Sequence, residues 1–269
     1  MKYIVTITLL LLIVGTVVDS GWAEAEEALI TDRPDITESS QAVGRGILQV
    51  ETSVQLRRFE AQSVETDIFS TPTLFRFGVG RSLELRLGTD AYSVADETGP
   101  LGASTESSGF GPIFLGAKYH MMEPTDGSSV PSFGVLVFVE LPSGSSTFRT
   151  RLVSGGLLLA ADGDLSERFS WGANAGVTAL ERDTGDPRGA ASLSAALGVS
   201  LSDRFGGFAE FAVAGLGLPD DERVSIADAG VTFLVSPNAQ FDLAAGAGLT
   251  DPSPDFFVTL GFSFRAPLL

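Results

Sequence analysis

Apolar and polar residues alternate along most of the chain after residue 46, and this period of two is typical of β-strands. The apolar set in the first such stretch is Leu48, Val50, Thr52, Val54 and Leu56, and the polar set between them is Gln49, Glu51, Ser53, Gln55 and Arg57. No later stretch shows a sustained helical period. We therefore expect an all-β fold whose strands have one apolar and one polar face.

Turn residues divide the alternating pattern into about twelve strands. Each predicted strand has roughly the length that a tilted strand needs to cross a bilayer. The predicted ranges are 46–58, 67–79, 83–92, 110–121, 131–141, 152–161, 169–180, 189–200, 205–215, 224–235, 239–249 and 255–265. An even number of strands returns both ends of a barrel to the same side of the membrane.

The predicted connections alternate in length. Short ones such as 79–83 and 201–205 resemble one another and suggest a repeated hairpin turn. The connections between them are long, acidic and rich in Gly, Ser and Pro, at 93–109, 216–223 and 250–255. In outer-membrane barrels the short turns are periplasmic and the long loops extracellular.

Alternation alone does not decide whether the apolar face is buried or meets lipid. Aromatic residues of the apolar set cluster beside the short turns, as in the girdle at a membrane interface. They are Phe77, Tyr119, Phe133, Phe169, Trp171, Phe205, Phe233, Phe241, Phe262 and Phe264. The polar set is rich in small residues, which suit a confined lumen. We favour a transmembrane antiparallel β-barrel over the alternative, a secreted β-sandwich with an aromatic core.

The first 25 residues have the pattern of a cleaved secretory signal peptide. A charged start at Lys2 precedes an apolar run over residues 4–18. Cleavage is expected after Ala25, with Ala23 as the next choice. Export together with the barrel pattern predicts the cell outer membrane as the location, with membrane lipid and the barrel-assembly machinery as partners.

Composition narrows the functional classes. The formal net charge is −17, and it is −16 without residues 1–25. So acidic a chain lacks the basic footprint that binds nucleic acid. Cysteine is absent, which excludes disulfides and thiolate metal sites. Lys118 is the only lysine beyond the signal region, which indicates an outer surface that does not face water.

Charged residues of the polar set are candidates for the lumen. The short turn 79–83 brings Arg76 opposite Arg86, and Glu51 and Glu84 are expected to lie diagonally between them. The full candidate cluster is Glu51, Arg76, Glu84, Arg86, Lys118, Glu210, Asp228 and Asp242. Two interpretations stay open: a selectivity constriction, or structural filling of the interior with paired charges.

Several apolar residues also fall on the lumen side of the pattern. They are Leu74, Phe114, Leu136, Phe138, Leu158, Phe208 and Phe257. They are compatible with an apolar solute route, but we favour a packed interior, because twelve strands lie between filled and open barrels in size.

Residues 26–43 precede the barrel domain, which we assign to residues 44–269, and they do not have a strand pattern. Around a proline they carry four charged residues: Asp32, Arg33, Asp35 and Glu38. Two interpretations stay open. The segment is either a disordered periplasmic leader or a plug that folds into the lumen and pairs its charges there.

No catalytic residue, metal site or cofactor is expected. His120 is the only histidine, and no serine lies within two residues of it, so a serine nucleophile with a histidine base has no support. The acidic loop residues match no metal-loop spacing and are interpreted as solvated. They include Asp220, Asp221, Glu222, Asp251 and Asp255.

The stretch 29–39, LITDRPDITES, resembles the N-terminal signature of a family of predicted outer-membrane transporters assigned to the meta-pathway of phenol degradation. Further similar stretches are 71–74 with Arg76, 83–86, 116–118, 141–144 and 261–264. The resemblance covers nearly the whole chain after the signal region. It implies a barrel that helps aromatic or other hydrophobic compounds to cross the outer membrane.

The expected function is therefore passive passage of small, hydrophobic or aromatic solutes. One alternative is a structural or adhesion-type barrel that conducts nothing. An outer-membrane hydrolase is a further alternative that we disfavour.

Overall fold

The computed structural model describes residues 29–123, 130–149, 152–181 and 187–268. The expected signal peptide lies outside the described residues. The strands are β1 Ile47–Ala61, β2 Val64–Ser70, β3 Thr73–Gly78, β4 Leu83–Thr89, β5 Ser93–Thr98, β6 Ser104–Gly109, β7 Ile113–Met122, β8 Ser132–Leu141, β9 Ser154–Asp164, β10 Phe169–Glu181, β11 Pro187–Ser200, β12 Phe205–Leu216, β13 Val224–Ser236, β14 Ala239–Gly248 and β15 Phe256–Pro267. A short 3-10 helix, Asp220–Glu222, lies in the connection before β13.

The sheet closes on itself into an antiparallel barrel. Neighbouring strands pair in sequence order around the wall, and β15 returns to pair with β1. The closing ladder runs from Ile47 opposite Pro267 to Arg58 opposite Phe256. Closure leaves no free edge within the wall, as a barrel in lipid requires because lipid offers no hydrogen-bond partners.

At three consecutive positions in the barrel wall, two short strands follow one another end to end in place of one long strand. β2 with β3, β4 with β5, and β6 with β7 continue each other across breaks at residues 71–72, 90–92 and 110–112. Two breaks contain a proline, Pro72 or Pro112, which has no amide hydrogen for the ladder. When each of these pairs is counted as one membrane-crossing strand, the barrel has twelve strands, so the predicted strand number is confirmed.

The prediction of a long loop over residues 93–109 is wrong in one respect, because this stretch contains the hairpin β5–β6. β5 pairs with β2 from Glu65 opposite Thr98 to Ser70 opposite Ser93. This hairpin extends the wall on the side of the long loops. Both of its faces are largely polar, so it lacks the alternation by which the other strands were found.

The polarity of the barrel is inverted relative to a soluble protein. Apolar side chains point outward, with Leu85 at 50%, Leu197 at 60% and Leu243 at 46% exposure. Their polar neighbours point inward, and Glu84 and Glu51 are fully buried. This excludes the secreted sandwich, because an exterior of this kind needs lipid. In the described ranges no helix has the length and apolar character to cross a membrane.

Aromatic rings gather at the short-turn end of the barrel. Phe205 and Phe233 lie with ring centroids 4.6 Å apart. Phe262 lies between Phe241 and Phe264, at 4.9 and 5.9 Å, and is 1% exposed. Most of the predicted girdle therefore faces outward, whereas Phe262 is covered by neighbouring side chains.

The outward face should reject charge according to depth in the membrane. We expect Leu243→Arg, at the middle of β14, to destabilise the barrel by about 2–4 kcal/mol, and Leu201→Arg, beside a short turn, to cost about 0–1 kcal/mol. Urea unfolding in lipid vesicles measures both. Equal tolerance at the two positions would contradict a lipid-facing exterior.

Candidate functional site

The centre of the buried charge cluster is a pair of arginines. β3 and β4 pair in the register that brings Arg76 opposite Arg86, as expected from the turn 79–83. Both side chains are buried, where like charges repel strongly. Glu84 accepts hydrogen bonds from Nε and Nη2 of Arg76 at 2.9 and 3.0 Å. Glu51 accepts from Nη1 of Arg76 at 2.9 Å, so carboxylates neutralise the pair.

Two carboxylates from the N-terminal segment complete the cluster. Asp32 Oδ2 lies 3.0 Å from Arg76 Nη1, 2.8 Å from Arg86 Nη2 and 2.7 Å from Lys118 Nζ. Glu38 Oε2 lies 2.6 Å from Arg86 Nη1 and 3.0 Å from Lys118 Nζ. Burial disfavours the charge of Asp32, but Arg76, Lys118 and Arg86 outweigh it and hold the pKa of Asp32 well below its ordinary value.

The same segment, residues 29–43, also bonds to strands that follow β1 around the barrel in the other direction. Arg33 Nη2 donates to Thr259 Oγ1 of β15 at 2.8 Å and lies 3.2 Å from Asp242 Oδ1 of β14. The backbone N–H of Ile36 donates to Glu210 Oε2 of β12 at 2.6 Å. The segment is thus bonded to β15 and β14, which follow β1 in the wall, and to β12, which lies across the lumen from β4.

Further along, the segment contacts β9 and β10. The backbone N–H of Glu38 donates to Asn174 Oδ1 at 2.7 Å, and Asn174 Nδ2 donates to the Glu38 carbonyl at 2.9 Å. The N–H of Ser40 donates to Asp162 Oδ1 at 2.6 Å. A segment bonded to opposite walls crosses the lumen.

Two wall glycines let the segment backbone approach closely. A Cβ at Gly78 would overlap the carbonyl oxygens of Val43 and of the adjoining Gly44, and one at Gly134 would overlap that of Ser40. Any other residue at either position would push the segment away from the wall.

The remaining predicted lumen charges do not join the arginine pair. Glu210, Asp228 and Asp242 lie on β12, β13 and β14, on the other wall of the barrel. The prediction of a single cluster is wrong for these three residues. Period-two alternation shows that a residue faces the lumen, but it does not show on which side of the lumen the residue lies. Glu210 stands directly opposite Asp228 in the ladder.

A crevice of about 250 Å³ remains beside the segment. Its lining combines Leu74 and Phe114 with Arg33, Glu51 and Asp90. It lies at the strand breaks, since Pro72, Asp90 and Pro112 all border it. Its lining thus offers both apolar and charged groups to a small solute.

Among the predicted apolar lumen residues, some are packed and others border space. Leu136 and Phe257 are buried, at 4% and 7% exposure. Leu74 and Phe114 line the crevice, and the Phe114 ring lies 5.5 Å from that of Phe138.

The whole described barrel corresponds to one protein family. Residues 31–266 match the model of the family described as "Putative MetA-pathway of phenol degradation". The chain belongs to this family. No curated protein matches the sequence.

Solved structures with the same fold are also outer-membrane barrels. An outer-membrane channel from Pseudomonas putida F1 is 14% identical, with a TM-score of 0.58, and the match covers 84% of this chain and 97% of that one. The β domain of a Bordetella autotransporter is 12% identical, with a TM-score of 0.51, over 81% of this chain and 99% of that one. At these identities the likeness concerns the fold, and it agrees with location of this phenol-degradation family member in the outer membrane.

Sequence reasoning missed several wall residues that form hydrogen bonds with the segment. Asn174, Asp162 and Thr259 bind it directly, and His120 Nδ1 lies 3.2 Å from the Ser40 carbonyl. Their only sequence signal is a place on the polar face of a strand. Within the described residues, no group of three or more His, Cys, Asp or Glu could hold a metal ion.

The arginine pair should depend on each of its buried carboxylates. We expect Glu84→Gln to destabilise the barrel by about 3–5 kcal/mol, because it leaves a buried arginine poorly paired. The control is Glu65→Gln, whose carboxylate pairs with Arg58 at 3.0 Å but is 45% exposed, and it should leave the urea midpoint unchanged. A wild-type midpoint for Glu84→Gln would show that the cluster is not desolvated.

Proposed function

We propose that this protein is a channel-like barrel for passive passage of small hydrophobic or aromatic solutes, in which residues 29–43 act as a plug. The observation that carries the proposal is the lumen itself. The segment is bonded to opposite walls, and the crevice beside it is small and partly apolar. A path of this size admits small solutes and excludes large ones.

The mixed lining of the crevice supports the solute class. Leu74 and Phe114 offer apolar surface, while Arg33 and Glu51 border the same space. Ligand sites commonly combine apolar walls with a few placed polar groups. A small aromatic compound with one polar substituent, such as a phenol, has the matching chemistry, and the family description names phenol degradation.

A barrel that conducts nothing is the main alternative. The segment bonds favour it, because a fixed segment closes the lumen, and one structural neighbour is an autotransporter β domain. The Pseudomonas neighbour is named as a channel. Conductance measurements on the full chain and on a shortened one separate the two functions.

We also propose that the protein is not an enzyme. The hydrolase alternative needs a serine beside a histidine. The ring nitrogens of His120 face the carbonyl of Ser40 and the carboxylate of Glu123, at 3.2 and 3.1 Å, and neither group is a nucleophile of that type. Membrane lipid and the barrel-assembly machinery remain the proposed partners.

Removing the plug should open the channel. We expect deletion of residues 28–42 to raise single-channel conductance in planar bilayers and to increase sensitivity of cells to bulky antibiotics. The barrel should remain folded, because its closing ladder between β1 and β15 is retained and because water enters the emptied lumen and solvates Arg86 and Lys118 in place of Asp32 and Glu38. The measurement is conductance, with heat-modifiable mobility on gels as the folding control.

Protease access tests whether the segment lies inside the lumen. Glu38 should resist a glutamate-specific protease in the folded wild type, because its carboxylate and backbone are bonded inside the lumen. Cleavage at Glu38 together with unchanged conductance of the deletion variant would show that the segment hangs free in the periplasm.

The crevice should govern passage of apolar solutes. We expect Phe114→Gln to lower the uptake of a small aromatic compound by cells several-fold, because a polar group replaces apolar lining. Phe208→Gln changes another lumen phenylalanine outside the crevice and should leave uptake unchanged. Equal uptake by both variants would remove the crevice from the solute path.

A further inference from the structure

One row of residues runs along the crevice across five neighbouring strands. The ladders join its members in the order Glu51, Leu74, Gly88, Phe114 and Glu140. All five residues line the crevice. Residues that stand directly opposite on neighbouring strands lie side by side on one face of the sheet. The row therefore has an acidic residue at each end and, between them, two apolar side chains separated by a glycine.

Gly88 leaves a narrow gap between Leu74 and Phe114. A Cβ placed on Gly88 would lie 3.3 Å from Cδ1 of Phe114 and 3.5 Å from Cδ1 of Leu74. Nonbonded carbon atoms pack at about 3.5–4.0 Å, so the gap is one carbon atom thick. Gly88 lies inside strand β4, where the extended backbone is open to any residue. A glycine inside a strand often marks a place where a ligand approaches the backbone closely.

The thickness of the gap selects the shape of a solute. An aromatic ring is flat and one carbon atom thick, so it fits with one face against Leu74 and the other against the ring of Phe114. Aromatic faces and aliphatic groups pack well in this way. A saturated ring of the same size is puckered and carries hydrogen atoms on both faces. The gap therefore favours aromatic rings over saturated ones.

The polar lining of the crevice selects the charge of a solute. Its carboxylates are those of Glu51, Asp90 and Glu140, and its guanidinium, that of Arg33, already lies 3.2 Å from Asp242 Oδ1. Asp90 follows Gly88 by two residues, its side chain is 41% exposed, and its nearest approach to Arg57 is 3.9 Å. An ionised carboxylate accepts hydrogen bonds and repels anions. The lining therefore favours an uncharged solute that donates a hydrogen bond.

We propose that the crevice is a binding slot for one flat aromatic ring that carries an uncharged hydrogen-bond donor, and that Gly88 sets the width of the slot. The slot rests on the proposed function, because it assigns a solute class to the crevice in that path, but its binding is measurable without passage. Undissociated phenol meets both requirements. Cyclohexanol has the donor without the flat ring, and benzoate has the flat ring with a negative charge.

Binding of these three probes tests the slot directly. Saturation-transfer NMR on the detergent-solubilised full chain at neutral pH, with protein-free micelles as the blank, gives an affinity for each probe. We expect wild type to bind phenol several-fold more tightly than cyclohexanol or benzoate. Equal affinity for phenol and cyclohexanol would overturn the slot.

Two variants change the width of the gap in opposite directions. Gly88→Ala fills the gap with a methyl group and should weaken phenol binding several-fold. Leu74→Ala widens the gap and should remove the preference for phenol over cyclohexanol. The matched control is Gly189→Ala, because a Cβ on this glycine of β11 meets nothing within 4 Å, and it should bind phenol like wild type. Heat-modifiable mobility on gels shows that each variant is folded. Wild-type affinity for phenol in folded Gly88→Ala would contradict the assigned width.

Uptake by cells separates the slot from the channel. Cells that carry wild type should take up phenol several-fold faster than cells that carry Gly88→Ala. Selective binding of phenol by a barrel that does not change its uptake would support the slot and reject the channel function. Phenol uptake through a barrel that binds phenol and cyclohexanol equally would reject the slot and keep the channel.

Discussion

The buried cations of the arginine cluster must be neutralised by other buried groups, because burial removes the water that would otherwise solvate them. This constraint explains why Arg76, Arg86 and Lys118 converge on one carboxylate oxygen of Asp32. Three buried cations repel one another unless an anion lies among them. The wall supplies Glu51 and Glu84, and the N-terminal segment supplies the rest. The segment is thus held in the lumen by the charges it neutralises.

The fold was largely predictable from the sequence, because the period of two separates the two faces of each strand and the aromatic residues beside the short turns indicate which face meets lipid. Alternation such as Leu83, Leu85 and Leu87 around Glu84 and Arg86 determines both the strand and its orientation. The hairpin β5–β6 escaped prediction for the same reason. A strand that extends beyond the lipid does not need one apolar and one polar face, so Ser104–Gly109 shows no alternation of apolar and polar residues.

The candidate site was predictable only in part. The alternation of polar and apolar residues places Glu51, Glu84 and Glu210 in the lumen, but only the closed topology shows that Glu210 lies across from the other two. The register of Arg76 and Arg86 follows from one short turn, since a two-strand hairpin fixes its own pairing. The bonds between the segment and Asn174 or Asp162 depend on contacts more than a hundred residues apart in sequence, and no local pattern encodes them.

The two walls of the lumen differ in how completely their charges are matched, and this difference has a mechanical consequence. Near Arg76 the segment is held by multiple short ion pairs, whereas at β12 to β14 it is held by one ion pair, between Arg33 and Asp242, and by neutral donors such as the Ile36 N–H. Ion pairs between buried groups resist separation because each partner would be left unpaired. Under the proposed plug function, we expect release of the segment to begin at β12, where neutral hydrogen bonds hold it to Glu210. A barrel that lined both walls with several matched ion pairs would hold its segment more firmly.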